Sequence, residues 1–519
     1  MPHTCVRRAV LARLAVLAGV LCLTATGCSV PFGRSGPEPS PPTAGTSAPA
    51  SHDPATQPAY APFYGQRPSW QGCGRSLECT TVTVPVDWSA PSGQTLGLSL
   101  VRRRASGSRI GSLLINPGGP GVAGADWLRQ AAPVFGSTLR DAFDLVGWDP
   151  RGTGASAGIR CLTDAQLDTF YATDATPDDA AERQTFATEN AELAAGCKAH
   201  AGALFSHVDT LSTVKDMDVL RAVLGDRTLS YFGASYGTFL GAWYAQEFPW
   251  RVGRMVLDGA VDPSLDSKEY IAGQAMGFDR AVTAYLSDCL HQAGCPWRGT
   301  PQDARDQLGA LLQQADSHPL RTSSGRMLTQ PLMATGIIWG MYAASIWKSL
   351  NEAMTKALQG DGTALLALAD SYDERDAKGR YSGTLEAYSP IYCLDHPETR
   401  TLDQMAADAA ELGRRYPPLG DFIGWGAVGC LNWPAKPVLE PQRLTAPGAA
   451  PILVVGTTGD PATPYEWAKS LASQLSSGRL VTREGSGHTA YLDHSSCIDS
   501  AVEPYLVAGI LPAAGTVCR

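Results

Sequence analysis

Two kinds of hydrophobic pattern run through the chain. Between Thr80 and Arg104 the stretches "TTVTVPVDW" and "LGLSLVRRR" alternate apolar with polar residues, the period of half-buried antiparallel strands. Beyond them the pattern changes to short, mostly apolar runs: "SLLIN" from Ser112, "DLVGWD" from Asp144, "LSYFG" from Leu229, "RMVLDG" from Arg254 and "ILVVG" from Ile452. Each ends in a loop of Gly, Asp, Asn or Pro, as strands buried on both faces of a parallel sheet do. Helical sequence lies between several of them. The pattern predicts an α/β fold with a mostly parallel, doubly wound sheet.

The first 70 residues do not share this pattern. Arg7, Arg8 and Arg13 precede and flank the apolar run "LAVLAGVLCL", and "TATGCSV" follows it. A basic region, a short apolar region and a small-residue cleavage site make a secretory leader over residues 1–27, too short to span a membrane. The end of this leader resembles a bacterial lipobox, with Ala25-Thr26-Gly27 before Cys28, so Cys28 is the expected lipid attachment site. Residues 28–69 are rich in Pro, Ser, Ala, Gly and Thr, a composition that cannot bury enough surface to fold. They are read as a spacer between anchor and domain. The expected location is the outer face of the cytoplasmic membrane through a lipid anchor, or the medium.

Composition narrows the function classes. At 519 residues with 44% hydrophobic and 18% charged content, most of the chain should be globular, with room for an insertion. The net charge is −9 and becomes −12 without the leader, which argues against nucleic-acid binding through a bulk basic surface. No Cys/His spacing suggests a metal, and no cofactor is expected. Of the 13 cysteines, ten remain beyond Cys28, an even set that suggests disulfides in an exported chain. Pairing of sequential neighbours is the simplest arrangement.

Two stretches spell Gly-Ala-Ser-x-Gly: "GASAG" around Ser156 and "GASYG" around Ser235. With 54 glycines the G-x-S-x-G pattern arises by chance about half a time in such a chain, so context must decide. Ser235 follows the buried run "TLSYFG" and precedes the helical run "YGTFLGAWYAQEFP". Strand, sharp turn and helix form the elbow that lifts a nucleophilic serine above a sheet. Ser156 follows its strand by the loop "PRGTGAS", and no helix begins at it. It is read as a loop serine in a structured turn with Asp149, Arg151 and Gly152.

A serine nucleophile needs a base, and the base an orienting acid. "PILVVGTTGDPATP" places Asp460 after a buried strand, and "RLVTREGSGHTAYL" places His488 after another, both where open α/β sheets bind ligands. His494 and Asp258 are the rivals. The loop "NPGGPG", Asn116 to Gly121, is the candidate oxyanion hole. Pro117 and Pro120 have no N–H, so the donor is Gly119 or, alternatively, Gly118, with the Tyr236 N–H as the second. The same loop matches G-x-G-x-x-G at Gly119, Gly121 and Gly124. A dinucleotide site is disfavoured because Pro120 removes a phosphate-facing N–H and two strands already precede the loop.

With these residues in place, the chain resembles the secreted tripeptidyl aminopeptidases of actinomycetes, in the α/β-hydrolase superfamily and related to prolyl iminopeptidases. "NPGGPG", "WDPRGTGAS", "GASYGT", "PIYCLD", "GTTGDPATP" and "GSGHTAY" carry the resemblance over about residues 70–500. It implies an α/β-hydrolase core in two parts, residues 70–261 and 441–519, with a helical lid, residues 262–440, inserted between core strands. It implies a serine exopeptidase acting on peptides with free N-termini: Ser235 as nucleophile, His488 as general base and acid, Asp460 orienting it. Some relatives are esterases or broader proteases, and a carboxylesterase remains the alternative. The tryptophans of the insertion, Trp297, Trp339, Trp347, Trp425 and Trp433, are expected in its core. A carboxylate should read the substrate amine. Asp395 in "PIYCLD" is the first candidate, with Glu269, Asp266 and Glu386 as alternatives. Oligomeric state is not legible.

Overall fold

The computed structural model describes residues 53–493 and 495–519. The leader, Cys28, the first part of the spacer and His494 lie outside the described residues. No described helix is long and apolar enough to cross a membrane.

Eight main strands form one sheet: β1 (Leu77–Pro85), β2 (Thr95–Arg103), β3 (Gly111–Asn116), β4 (Phe143–Trp148), β5 (Leu229–Ala234), β6 (Val252–Asp258), β7 (Ile452–Gly459) and β8 (Gly478–Ser486). Their order is β1-β2-β4-β3-β5-β6-β7-β8, with two-residue strands at both edges. β1, β2 and β4 pair antiparallel, as the alternating pattern of the first two suggested, and every pair from β4 to β8 is parallel. β3 to β6 are buried at every position, which is why their sequences read as unbroken apolar runs.

Side-chain alternation divides the core between the two faces. Leu114, Val146, Tyr231, Leu257 and Val454 point to one cluster, where Leu220 and Leu240 of covering helices meet them. Leu113, Ile115, Leu145, Phe232, Val256 and Val455 point to the other, against Leu128, Ile498 and Val502. The covering helices before the insertion are α1 (Gly124–Ala131), α2 (Ala180–Ala201), α3 (Thr210–Val223) and α4 (Tyr236–Glu247). The order turns back at β3 and β5, so the loops after these two strands flank the crevice where such sheets bind ligands.

Between β6 and β7 lie α5 (Ser267–Leu290), α6 (Pro301–Ser317), α7 (Gln330–Met341), α8 (Trp347–Ala357), α9 (Thr363–Tyr372), α10 (Thr384–Asp395) and α11 (Leu402–Arg415). This segment has a core of its own, built from residues such as Phe278, Tyr285, Leu308, Leu332, Ile337 and Leu350. Trp297, Trp347 and Trp425 are buried in it. Trp433 stacks on Phe205 at 5.2 Å instead. Trp339 departs from the expectation of a core residue: it is half-buried and packs against Tyr342 and Tyr372 beside the candidate site. Two helices follow β7, α12 (Tyr465–Gln474) and α13 (Ser496–Ala508).

The cysteines beyond Cys28 form five disulfides between sequential neighbours: Cys73–Cys79, Cys161–Cys197, Cys289–Cys295, Cys393–Cys430 and Cys497–Cys518. The spacer proves shorter than its composition suggests. From Asp53 the chain folds onto the core in short helical turns. Phe63 is buried, Tyr60 packs on Trp88 at 5.6 Å, Tyr64 donates to Asp218 at 2.9 Å, and Asp53 pairs with Arg251. Three aromatic residues within five positions bury enough apolar surface to hold a Pro-rich segment down.

Candidate active site

β5 runs straight into α4 through Ser235, whose φ of 56° and ψ of −126° are strained for a residue with a side chain. The surroundings hold it there. The Ser235 N–H donates to the backbone oxygen of Asp258 at 2.9 Å. The Ser235 oxygen accepts from the N–H and Oγ1 of Thr238 at 2.8 and 2.6 Å. Tyr231 donates to the Gly237 oxygen at 2.7 Å, and a Cβ at Gly237 would stand 2.7 Å from the Asn116 oxygen, so the turn packs directly against the end of β3.

The loop after β3 closes on the same turn. Gly118 has φ of +101°, and a Cβ on it would lie 2.8 Å from Ser235 Cβ and 3.1 Å from Tyr236 N. Only glycine fits. The Gly118 N–H donates to Asn116 Oδ1 at 2.9 Å and is therefore spent within the loop. Gly119 is the other glycine at this turn with an N–H, and Tyr236 opens α4, where helix N–H groups lack intrahelical acceptors.

His488 and Asp460 meet as the sequence order suggested. Nδ1 of His488 stands 2.9 and 3.0 Å from the two Asp460 oxygens. Asp460 also accepts from the N–H groups of Ala462 (3.0 Å), Thr463 (2.9 Å) and Thr489 (3.2 Å) and from Thr463 Oγ1 (3.0 Å). The carboxylate is fully dressed and only 3% exposed, and its fixed position fixes the imidazole. Backbone N–H of His488 donates to the Tyr342 oxygen at 2.8 Å, and the Tyr342 ring meets the imidazole edge-on at 5.4 Å. Burial alone would lower the His488 pKa. The charge and hydrogen bond of Asp460, with Asp258 behind it, outweigh burial and the net shift is upward.

Asp258, the rival acid, holds the loop and not the ring. Its carboxylate accepts from Ala490 N–H at 3.0 Å and Tyr491 N–H at 2.8 Å, both just past His488. Burial pushes its carboxyl up to about 6, against those N–H groups. Its backbone oxygen takes the Ser235 N–H, and a Cβ on the next residue, Gly259, would stand 3.3 Å from His488 Cε1. The end of β6 thus ties the serine turn to the histidine loop. Thr463 and Tyr342, which also hold the His488–Asp460 pair, are residues that sequence reasoning missed; Asn116, in the candidate oxyanion loop, and Asp258, weighed as the rival acid at a strand end, were already in view.

The other predicted residues are elsewhere. Ser156 is fully buried and its Oγ accepts from Ser99 N–H at 2.8 Å. Asp395 requires correction as a reader of substrate amines. It is 3% exposed, and its two oxygens accept from Thr210 N–H at 2.8 Å and Thr210 Oγ1 at 2.7 Å, while the same Oγ1 lies 2.5 Å from the Tyr236 hydroxyl. Asp395 braces α10 against α3 and the first residue of α4. Glu386 is also engaged: its Oε1 accepts from Cys161 N–H at 2.6 Å and Leu162 N–H at 3.0 Å, and its Oε2 stands 3.1 Å from the Arg160 guanidinium. Asp266 and Glu269 cap the start of α5 reciprocally.

A central serine on a strained strand-to-helix turn, over a sheet of this order, defines the class: a serine hydrolase with the α/β-hydrolase fold. Residues 416–518 match the family model described as TAP-like protein. Serine protease Hip1 of Mycobacterium tuberculosis is 38% identical over 482 residues, covering 88% of this chain and 92% of that protein. Carboxylesterase B of the same organism is 36% identical over 500 residues, covering 92% and 94%. Tripeptidyl aminopeptidase of Streptomyces lividans is 31% identical over 471 residues, covering 86% of each chain. The chain belongs to this tripeptidyl aminopeptidase-like family of α/β hydrolases, and it is a hydrolase enzyme.

Proposed function

We propose that the chain is an exported serine exopeptidase that releases tripeptides from free N-termini through an acyl-enzyme on Ser235. The observation that carries the reading is the convergence of three loops on one serine: the strained elbow itself, the Gly118–Gly119 turn packed on it, and the His488–Asp460 pair joined to it through the end of β6. Ser235 Oγ attacks the scissile carbonyl, and Nε2 of His488, the nitrogen left free by Asp460, takes its proton. The Gly119 and Tyr236 N–H groups receive the oxyanion. Protonated His488 gives its proton to the leaving amine, and water then releases the acyl group by the same steps reversed. No metal or cofactor enters the scheme.

The domain scheme follows from the same reading. Residues 1–27 are a leader, and Cys28 carries a lipid. The spacer ends near residue 52, the core comprises residues 70–261 and 441–519, and residues 262–440 form the lid. The five disulfides fit an oxidising compartment outside the cytoplasm. Replacement of Cys28 by Ser should free the protein from the membrane fraction; unchanged retention removes the anchor from the proposal.

The second reading, a carboxylesterase, is favoured by the 36% identical relative of that name. The two are separated by release of a chromogenic amine from a tripeptide amide with a free N-terminus and from its N-acetylated twin. Turnover of the free form alone supports the exopeptidase. Turnover of a simple ester with neither peptide cleaved supports the esterase.

A further inference from the structure

An enzyme that cuts at a fixed distance from a free N-terminus must hold an ammonium group at that distance, and a carboxylate shielded from water does so best. The four carboxylates that the sequence nominates are committed: Asp395 to Thr210, Glu386 to Cys161 and Leu162, Asp266 and Glu269 to a helix cap.

Asp373 differs from all of them: Glu386 Oε2 also lacks a hydrogen bond but stands 3.1 Å from the Arg160 guanidinium, whereas no ion pair reaches Asp373 among the described residues. It follows Tyr372 at the C-terminal end of α9, is 5% exposed, and its Oδ2 has no hydrogen-bond partner among the described residues. Burial pushes its carboxyl up to about 7, Asp370 adding to the rise and Arg326 opposing it. Arg326 does not pair with it: this guanidinium donates to Asp370 at 2.6 Å and stands 3.6 Å from Asp168. A buried carboxylate oxygen left unpaired is destabilising and has no structural return here.

Two sets of contacts place the residues on either side of Asp373 next to the elements that frame the candidate active site. On the histidine side, the Tyr342 ring that packs on His488 lies 6.0 Å from the Tyr372 ring, next in the chain to Asp373. On the oxyanion side, Glu374 Oε2 accepts from Thr384 Oγ1 at 2.8 Å, and the Thr384 backbone closes on Gly121, with no space between them for a Cβ. The turn Tyr372–Asp373–Glu374 therefore bridges the His488 loop and the "NPGGPG" loop. It is strained, since Glu374 has φ of +52°. Tyr171, half-buried and near enough to Asp373 to feel its charge, and the Trp339–Tyr342–Tyr372 group supply aromatic faces suited to a cation. Ring-to-ring steps of 5.4 and 6.0 Å lead from His488 through Tyr342 to Tyr372, the residue before Asp373, so the turn lies no farther from the imidazole than a short peptide can span.

We propose that Asp373 receives the protonated α-amine of the peptide substrate and so makes the site specific for free N-termini. This rests on the exopeptidase reading above. The readout is the ratio of kcat/KM for the free tripeptide amide to that for its N-acetylated twin, with fluorophosphonate labelling of Ser235 certifying a folded centre in each variant. Asp373→Asn should cut the ratio by about 100-fold or more, chiefly through a raised KM for the free peptide. An unchanged ratio, including an equal loss on both substrates, overturns the proposal. If Asp373→Asn does not label, Asp373→Glu decides: moving the carboxylate by one methylene should lower the ratio about tenfold, and an unchanged ratio is the contrary result. A full-chain enzyme that cleaves both peptides equally before any substitution overturns the exopeptidase reading itself, whereas a selective enzyme that keeps its selectivity in the variants overturns Asp373 alone.

Discussion

The two Gly-Ala-Ser-x-Gly stretches put four identical residues in the same spacing to opposite uses. At Ser235 the motif sits where a strand ends and a helix begins. The backbone is forced to φ of 56°, and the side chain is left at the mouth of the site, partly exposed. At Ser156 the motif sits inside a long loop, the serine is wholly buried, and its Oγ is consumed by the Ser99 N–H. The surrounding loop is held by Arg151, fully buried and bound to both Asp216 oxygens, at 2.7 and 2.6 Å, and to three backbone oxygens. Asp149 holds the same loop from the other end by accepting from Ala125 and Ala155 N–H groups. One copy stores strain to present an oxygen; the other spends every polar atom on holding a turn. The motif specifies neither outcome. What decides is whether a helix starts at the serine.

The largest expected effect follows directly. Ser235→Ala should lower kcat by about 10⁶, the scale at which a nucleophile's loss leaves only binding and oxyanion stabilisation. Measured beside it, Ser156→Ala should keep turnover. The reverse result would exchange the roles of the two serines. Next in size is Asp460→Asn, for which a loss near 10⁴ is expected because the imidazole loses its orienting charge. Asp258→Asn should lose far less, since its carboxylate serves backbone N–H groups. Equal losses would show that the two acids share the role.

Charge at Asp460 also sets the pH profile. The net rise of the His488 pKa means that the neutral, proton-accepting imidazole is depleted below a pH above the usual 6.5, so kcat/KM should fall on the acid side with its inflection there. In Asp460→Asn burial acts with less opposition, and the residual activity should show that inflection at lower pH. An inflection that stays put would assign the acid limb to another group.

How much of this was legible depended on whether a residue's task is visible in its neighbours along the chain. The strand runs, the Ser235 turn and the loops of Asp460 and His488 were legible because local pattern and chain order both point to them. Asp395 was misread because sequence shows a carboxylate without showing that Thr210, 185 positions away, has taken both of its oxygens. Asp373 was invisible, one acid among 50, because what sets it apart is a partner it lacks. The spacer was drawn too long because averaged composition hid Tyr60, Phe63 and Tyr64 among prolines and alanines. Trp339 failed for a similar reason: aromatic residues in a helix look alike whether they face the helical core or, as here, the Tyr342 and Tyr372 rings.

Smaller effects belong to the buried copy of the motif. Arg151→Ala should destabilise the fold by about 3–5 kcal/mol, because Asp216 would be left buried without its partner. Chemical denaturation reads this as a lower midpoint, and retention of stability would mean that water or Trp88, which donates to Asp216 at 3.1 Å, takes over.

The smallest effect is the most informative about the comparison. Ser156→Ala removes one acceptor from the Ser99 N–H, which β2 directs at the loop, and adds no strain because the Ser156 backbone keeps an ordinary negative φ. An unsatisfied, half-buried N–H costs about 1–2 kcal/mol. The expected variant is therefore slightly less stable, with fluorophosphonate labelling of Ser235 unimpaired. A loss of labelling in proportion to unfolded protein still fits a purely structural serine. A loss of labelling in fully folded protein would mean that the loop after β4 transmits its position to the elbow, and that the two copies of the motif act as one unit.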